Sequence, residues 1–454
     1  MACRIPRSRR TEDMRILTVS TLDHGGGAEA VACDLAEGYA AHGHESWIAV
    51  GTKRSSDPRV LTISRARNHR PRNPDAPEPE TPEAIAAAAA DGLEDFSYPG
   101  SWDLLDLPPQ PPDLVHCHNL HGGYFDLRFL PRLSRRVPTL LTLHDNWLLT
   151  GHCAHPFACE RWRTGCGDCP DLSIYPRLLA DGSAANWRRK RDLYAGSRLY
   201  VSTPSRWLMD RVEAGILRQG MMAGRVIPNG IDTDVFCPGD RAGARQALDL
   251  PQDALILLFT ANGIKANPWK DYPSTRAVME RLGALELGRP LVLVNLGDRG
   301  EPERIGSATV RFVPFQRGKE RVAAYYRAAD IYLHMARMET FPSVILEAMC
   351  CGTPVAATAV GGITEQIDSA FGFPKGGPAH GPERATGVLV GPAAVEDMVE
   401  ALRRLLTDDG LRRRLGTNAA ALGRPRFDLR RAVRDYVSWL EEIAQDCPAG
   451  PVTA

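Results

Sequence analysis

The sequence contains no run of apolar residues long enough to cross a bilayer, and its N-terminus lacks the apolar segment of a secretory signal peptide. It also lacks net charge, because its 55 basic residues are matched by 55 acidic ones. A chain without a positive excess has no overall footprint for nucleic acid or for anionic lipid. We therefore predict a cytoplasmic protein that binds no nucleic acid and associates with membranes at most peripherally.

A dinucleotide fingerprint is missing too. The first predicted strand, at residues 15–20, is followed by a glycine-rich loop at 23–29, a helix and a second strand, which is a Rossmann-type beginning. The loop does not match G-x-G-x-x-G, so it does not predict a nicotinamide or flavin cofactor. Its glycines, Gly26 and Gly27, still allow the backbone to approach a ligand closely, although a tight turn explains them as well.

A length of 454 residues predicts two domains. We place a disordered tail at 1–13, with Met14 a candidate start, an N-terminal Rossmann-like domain at 14–205 and a second one at 206–428. A helix at 429–445 and a tail at 446–454 follow. Within the first domain, the proline- and alanine-rich composition of 66–112 predicts a partly disordered insertion, and 151–170 is a cysteine-rich lobe.

The chain is organised around the stretch from Met338 to Gly362, where a loop, a helix, a short strand and a glycine pair are predicted in succession. Glu339 precedes the helix, Pro342 suits its first turn, and Glu347 lies within it. The exposed amide groups at the start of the helix, from Phe341 to Ser343, favour an anion between the two carboxylates. A sugar, a diphosphate and a ribose in a row would fit this arrangement.

Two further groups of residues follow predicted strands. Lys265 and Lys270 come after the strand 255–261, and two lysines at the carboxyl end of a strand suit a diphosphate. His144 comes after the strand 139–143, which predicts a position in a ligand cleft, although a structural hydrogen bond would explain a single histidine equally well. His116, His118 and His121 are weaker candidates.

The pattern Glu339-x7-Glu347, followed by AMCCGTPV and by Val-Gly-Gly, resembles the signature of family 4 retaining glycosyltransferases. The segment HDNWLLTGHC…C…W…GC…CP is similar to a subgroup of that family from bacterial surface-polysaccharide pathways. The resemblance implies the α/β GT-B fold, in which two Rossmann-like domains face each other across a cleft. It covers most of the chain except the tails and the insertion at 66–112. It also implies that the domain at 14–205 holds the acceptor, that the domain at 206–428 holds the nucleotide-sugar donor, and that the helix at 429–445 crosses back to the first domain.

The resemblance also implies roles for individual residues. Glu347 would hold the ribose, Glu339 and His144 would act on the donor sugar, and the two lysines would neutralise the leaving diphosphate. The family usually has an arginine near Lys265, which this sequence lacks. The full set comprises the catalytic candidates Glu339 and His144, and the donor-binding candidates Gly26, Gly27, Lys265, Lys270, Phe341, Pro342, Ser343 and Glu347.

The cysteines of the lobe, Cys153, Cys159, Cys166 and Cys169, are spaced C-x5-C-x6-C-x2-C. They could close a tetrahedral zinc site, but standard zinc-finger spacings are not met, so plain thiols or a redox-labile pair are the favoured interpretation. No D-x-D motif stands where a metal-dependent transferase of the other common fold would need one. We therefore predict no catalytic metal and no cofactor beyond the nucleotide sugar.

The predicted activity is the transfer of a sugar, of the hexose type, from a nucleotide-diphosphate sugar to an acceptor hydroxyl with retention of configuration. A sugar, a lipid-linked sugar or an aminocyclitol-like molecule would be the acceptor, in bacterial polysaccharide or glycosylated natural-product biosynthesis. Two alternatives stay open, namely a sugar-nucleotide epimerase on the same fold and a non-catalytic subunit that binds sugar nucleotides.

Overall fold

The structure, a computed structural model, describes residues 13–372 and 379–446. The predicted tails therefore lie outside the described residues, apart from Asp13 and Asp446. The chain divides into two compact units, of which the first ends at Pro228 and resumes at Ala432, while the second runs Asn229–Arg431. Among the described residues, no helix combines the length and apolar character needed to cross a bilayer.

The first unit is built on a parallel seven-stranded sheet with the order β3-β2-β1-β4-β5-β6-β7. Its strands are β1 (Arg15–Leu22), β2 (Glu45–Thr52), β3 (Val60–Thr62), β4 (Leu114–His118), β5 (Thr139–Thr142), β6 (Leu199–Thr203) and β7 (Met221–Val226). Its helices are α1 (Gly27–Ala41), α2 (Pro82–Ala90), α3 (Leu130–Arg136), α4 (Ser183–Ala195) and α5 (Arg206–Ala214).

The second unit has its own seven-stranded sheet, ordered β10-β11-β9-β8-β12-β13-β14, in which only the edge strand β10 is antiparallel. The strands are β8 (Leu255–Thr260), β9 (Leu291–Leu296), β10 (Glu303–Ile305), β11 (Ala308–Val313), β12 (Ile331–His334), β13 (Val355–Thr358) and β14 (Gly387–Val390). The helices are α6 (Arg241–Ala247), α7 (Tyr272–Gly283), α8 (Lys319–Ala328), α9 (Ser343–Cys350), α10 (Val395–Thr407) and α11 (Asp409–Phe427). A last helix, α12 (Leu429–Asp446), has only its first three residues in this unit.

The central strands are buried along their whole length and are largely apolar. Every residue of β4, β9, β12 and β13 is buried. Largely apolar strands without alternation are typical of parallel sheets, whereas strands of a sheet with one solvated face alternate between apolar and polar residues. The sequence therefore identified these strands but could not give their order in the sheet.

The boundary between the units lies later in the chain than the sequence predicts. We placed it after Ser205, whereas the first unit extends to Pro228. Residues 206–228 form helix α5 and the strand β7, which pairs with β6 at the edge of the first sheet. The exposed middle of β7 gives it a weak apolar signal, and this is why the sequence did not reveal it.

The segment 66–112 differs from the partly disordered insertion that its composition predicts. Phe96, Trp102 and Leu104 are 3%, 7% and 0% exposed, so these three large side chains enter the core of the first unit. The indole nitrogen of Trp102 donates to Asp126 at 3.1 Å. Helix α2, by contrast, buries none of its residues.

The C-terminal helix α12 begins in the second unit, and from Ala432 onward it belongs to the first. Val433 packs on Gly38 of α1 so closely that a Cβ at Gly38 would lie 2.4 Å from it. The hydroxyl of Tyr436 is 3.2 Å from that of Thr142 and 3.0 Å from that of Ser202, at the ends of β5 and β6. The end of the chain thus completes the core of the first unit.

Candidate functional site

The carboxyl ends of β8 and β12, which are neighbours in the second sheet, hold two of the predicted site residues. The segment after β8 lies along the segment after β12, with a bridge between Lys270 and Ala336. Two backbone hydrogen bonds flank this bridge, from Asp271 to Met335 at 3.2 Å and from Arg337 to Trp269 at 2.9 Å. This pairing places Lys270 next to Glu339.

Lys270 and Glu339 form an ion pair whose side chains are only 13% and 15% exposed. The same carboxylate oxygen lies 3.2 Å from Nε2 of the fully buried His334. Burial raises the pKa of Glu339, but the charge of Lys270 and the hydrogen bond from His334 outweigh burial and hold this pKa well below its usual range. Glu339 is therefore an anion with two fixed partners.

His334 is neutral in this arrangement. Burial lowers its pKa, and the charge of Lys270 lowers it further. Since a carboxylate can only accept, Nε2 of His334 donates to Glu339, and Nδ1 accepts from the hydroxyl of Tyr332 at 3.2 Å. The sequence analysis did not identify His334, although its position at the end of β12 was a usable signal.

The helix α9 presents its N-terminus beside this ion pair. The helix begins at Ser343, with Pro342 as the N-cap residue rather than in the first turn, and no side chain caps it. The amide of Gly362 donates to the carbonyl oxygen of Glu339 at 3.3 Å, so the glycine pair lies against the same loop. The uncapped amides at Ser343 and beyond can receive an anion.

Glu347 lies within α9 and accepts a hydrogen bond of 2.7 Å from the hydroxyl of Tyr326. Burial raises the pKa of Tyr326 and the charge of Glu347 raises it further, so the phenol stays protonated and donates. Tyr326 is another residue that the sequence analysis missed, because its place in α8 gave only a core signal.

Two other donor-site candidates, Lys265 and Phe341, take no part in this ion pair. The ammonium group of Lys265 lies 3.7 Å from the ring centre of Phe312 and 3.7 Å from Oε1 of Glu303, and its side chain is 38% exposed. The side chain of Phe341 is 5% exposed and packs on Phe427, with 6.0 Å between ring centres. A ligand could therefore meet the backbone of Phe341 but not its ring.

In the first unit, Gly26 and Gly27 stand where α1 begins, and Gly26 is its N-cap residue without a capping side chain. Asp23 fixes the loop by accepting from the amides of Arg54 and Ser55 at 2.8 and 2.7 Å. The loop therefore exposes backbone groups at the carboxyl end of β1.

His144 lies beyond β5, as predicted, and is in contact with a second histidine. Its Nε2 is 2.9 Å from Nδ1 of His118, and the two rings stack with centres 5.2 Å apart. Burial lowers the pKa of His144 to about 4, so the imidazole is neutral at physiological pH. Nearby, Nε2 of His121 lies 2.7 Å from Asp145.

The cysteine-rich lobe carries four free thiols, at Cys153, Cys159, Cys166 and Cys169. With His152 they line one small pocket, and Nε2 of His152 is 3.3 Å from Sγ of Cys169. Burial raises the thiol pKa of Cys153 to about 12 and that of Cys166 to about 11. Within 13–372 and 379–446, no three histidine, cysteine or acidic side chains are placed to hold a metal ion.

Two family models match the chain. The model described as Glycosyltransferase Family 4 matches residues 25–235, and the one described as Glycosyl transferases group 1 matches residues 303–422. The second match includes the stretch from Met338 to Gly362.

Curated relatives carry corresponding names. The chain is 37% identical to a D-inositol 3-phosphate glycosyltransferase of Actinosynnema mirum over 213 residues, 44% of this chain and 47% of that protein. It is 34% identical to the protein of the same name from Saccharomonospora viridis over 347 residues, 72% of this chain and 67% of the relative. The putative colanic acid biosynthesis glycosyl transferase WcaC of Escherichia coli K12 is 27% identical over 270 residues, 54% of this chain and 60% of WcaC. The chain thus spans only about half the length of several of the curated relatives that it matches.

Solved structures share the fold. A sucrose-phosphate synthase from Thermosynechococcus elongatus has a TM-score of 0.62 at 20% identity, over 94% of this chain and 98% of its own. The Anabaena protein HepE in complex with UDP has a TM-score of 0.60 at 17% identity, over 94% and 100%. Together with the two parallel sheets, these matches confirm the predicted fold class, α/β of the GT-B type.

Proposed function

Because this chain belongs to the family 4 and group 1 glycosyltransferases, we propose that it transfers a sugar from a nucleotide-diphosphate sugar to a hydroxyl group of an acceptor. The observation that carries the proposal is the buried ion pair of Lys270 and Glu339 beside the uncapped start of α9. This arrangement combines a cation and free amides for a diphosphate with a carboxylate that can accept from sugar hydroxyls.

The donor would lie along the loop that precedes α9. Lys270 and the amides from Ser343 onward would receive the diphosphate, and Lys265 would add a second positive charge. Glu347, held by Tyr326, would accept from the ribose hydroxyls. Stabilising the negative charge that develops on the leaving diphosphate would then supply much of the catalysis.

Glu339 has a double function in this scheme. Its carboxylate would accept from the donor sugar's hydroxyl groups, while its ion pair keeps the ammonium group of Lys270 aimed at the phosphates. The neutral His334 supports the carboxylate from the other side at 3.2 Å. Preorganised charges of this kind need not rearrange when the bond to the leaving group breaks.

The finer features of the activity rest on the family relationship. We include in the proposal the retention of configuration, a hexose as the transferred sugar, and participation of His144 and the loop at Gly26 and Gly27. Bacterial polysaccharide or glycosylated natural-product biosynthesis is the proposed setting, and WcaC is a relative whose name refers to colanic acid. The absence of a catalytic metal stays a prediction, as does the cytoplasmic location.

A thermal-shift experiment tests the donor site. UDP, GDP, dTDP and ADP are compared with the wild type and with the variants Lys270→Ala and Glu347→Ala. At a concentration of ~100 times Kd, a bound nucleotide adds about 2.7 kcal/mol to the free energy of unfolding. We expect one nucleotide to stabilise the wild type selectively and both variants to lose that stabilisation.

The control variant is Arg281→Ala, which removes a cation that is 63% exposed on α7 and pairs with Glu396. It should respond to the nucleotide as the wild type does. If no nucleotide stabilises the wild type, or if Lys270→Ala responds like Arg281→Ala, the proposed donor site is wrong.

A further inference from the structure

The first unit contains a cavity of about 440 Å³, whose lining includes His121, a weaker candidate from the sequence, but none of the proposed donor-site residues. It opens at the carboxyl ends of β4 and β5, where ligands bind in parallel α/β sheets. Its walls come from three places, namely the segment 89–98 within the inserted region, the loop 120–125 after β4 with Trp147 after β5, and residues 175–178. Its volume lies within the range of small-molecule pockets, roughly 300–1,000 Å³.

Aromatic rings form much of the wall. Phe96 meets Trp147 edge to face, with ring centres 6.5 Å apart and an angle of 88°. His121 lies between Trp147 and Tyr175, at 5.4 and 5.6 Å between ring centres. Tyr175, at the rim of this wall, is 45% exposed.

The region that composition predicts to be disordered fixes this wall. Glu94 receives the indole N–H of Trp147 and pairs with the fully buried Lys190 at 2.7 Å. The ammonium group of Lys190 lies 3.8 Å from the ring centre of Trp147. The tryptophan is therefore held in place from two sides before any ligand arrives.

Polar groups suited to hydroxyls face the same space. Nδ1 of His121 is 3.3 Å from the hydroxyl of Tyr175, while its Nε2 is held by Asp145 at 2.7 Å. Gly122 and Gly123, which also line the cavity, have φ values of +98° and +75°, in the left-handed region that favours glycine.

The charged groups around the cavity disfavour a cationic ligand. The carboxylates in and beside it already have partners, Glu94 with Lys190, Asp95 with Arg67 and Asp145 with His121. A cationic ligand would therefore find no unpaired acid in this set. Exposed Arg177 lines the same cavity and would repel such a ligand.

We propose that this cavity binds the acceptor, and that the acceptor is a six-membered polyhydroxylated ring, a pyranose or a cyclitol, without a positive charge. The C–H face of such a ring packs on Tyr175 and Trp147, because an aromatic face carries partial negative charge that attracts C–H groups. Its hydroxyls bond to His121, to the tyrosine hydroxyl and to the glycine backbone. This inference rests on the proposed function, and it argues against the aminocyclitol-like acceptor.

Saturation-transfer-difference NMR tests the inference on the full chain, with and without UDP. The probes are methyl α-glucopyranoside, methyl α-mannopyranoside, N-acetylglucosamine, myo-inositol and, as the cationic probe, glucosamine. We expect at least one neutral ring to receive saturation on its C–H protons and glucosamine to receive none. In Tyr175→Ala the signal should fall at least fivefold.

Two further variants make the result specific. Leu179→Ala truncates a side chain that is 67% exposed and does not line the cavity, so it should leave the signal unchanged. His121→Gln retains a nitrogen that can donate to Asp145 but loses Nδ1, and it should weaken ring binding without changing the melting temperature by more than Leu179→Ala does.

The outcomes separate this inference from the proposed function. If no neutral ring binds, if glucosamine binds as well as the neutral rings, or if Tyr175→Ala and Leu179→Ala behave alike, the acceptor site is overturned, whatever the nucleotide screen shows. If the rings bind as expected but no nucleotide stabilises the protein, the donor site fails, and the acceptor role of the cavity fails with it.

Discussion

Replacing Glu339 by glutamine should tighten the binding of a free nucleoside diphosphate and, at the same time, slow sugar transfer. In the structure, Lys270 pairs with this carboxylate, and in the proposed donor site it would also pair with an anion at the uncapped start of α9. Glutamine keeps an oxygen that can accept from Lys270 and His334, so the lysine stays in position. What it removes is a negative charge next to the diphosphate.

The magnitude follows from the geometry of a bridging lysine. Charge-assisted N–H···O bonds are about 2.8 Å long, so an ammonium group between a carboxylate and a phosphate holds the two anions ~5.5 Å apart. Two unit charges at that separation repel by ~0.8 kcal/mol in bulk water and by ~3 kcal/mol at an effective dielectric constant of ~20. Since Glu339 is 15% exposed, we expect a repulsion energy between these limits, ~1.4 kcal/mol. Its removal in Glu339→Gln should lower the Kd of the nucleotide about tenfold relative to the wild type.

Isothermal titration of the stabilising nucleotide into the wild type and Glu339→Gln, at low and at high salt, measures this difference. The difference should shrink at high salt, because screening weakens the repulsion. The control is Glu280→Gln, which neutralises an α7 carboxylate that is 54% exposed and pairs with Arg276. A Kd for Glu339→Gln that equals or exceeds that of the wild type at low salt would refute the reasoning.

Three further predictions concern stability. Burial raises the pKa of Glu339 but its two partners lower it more, so its stabilising contribution is complete above about pH 4.5 and is lost as the pH falls towards the folded-state pKa. Acid unfolding followed by circular dichroism should therefore begin at a higher pH in Lys270→Met. Tyr326→Phe removes the 2.7 Å bond to Glu347 and should lower the free energy of unfolding by about 1.5–3 kcal/mol, as measured in urea. Leu104→Ala should cost about 2–5 kcal/mol and speed proteolysis within 66–112, since this leucine is fully buried; unchanged cleavage would contradict the packing of that segment.

The sequence predicted the fold well because the central strands are short, largely apolar segments bounded by polar loops. The spacing of Glu339 and Glu347 also predicted correctly that one carboxylate precedes α9 and the other lies within it. Local pattern suffices in both cases. The start of α9 was misplaced by one residue, since Pro342 fits an N-cap as well as a first turn.

Partners from distant parts of the chain could not be predicted in this way. The pairing of Lys270 with Glu339 depends on the adjacency of β8 and β12 in the sheet. No local sequence pattern predicts which strands are adjacent. The segment 66–112 was misjudged because composition averages over many residues, whereas three large side chains fix it to the core. His121 and Asp145 were not paired for the same reason as the lysine and the glutamate.

The return of α12 to the first unit sets an order of events during synthesis. The first unit lacks Tyr436, whose hydroxyl meets those of Thr142 and Ser202, until the whole second unit has been synthesised. The second unit, Asn229–Arg431, is continuous and can fold as soon as it emerges. The unit that is translated first is therefore the last to be completed, and until then the surface on α1 that receives Val433 is exposed to chaperones and to other nascent chains.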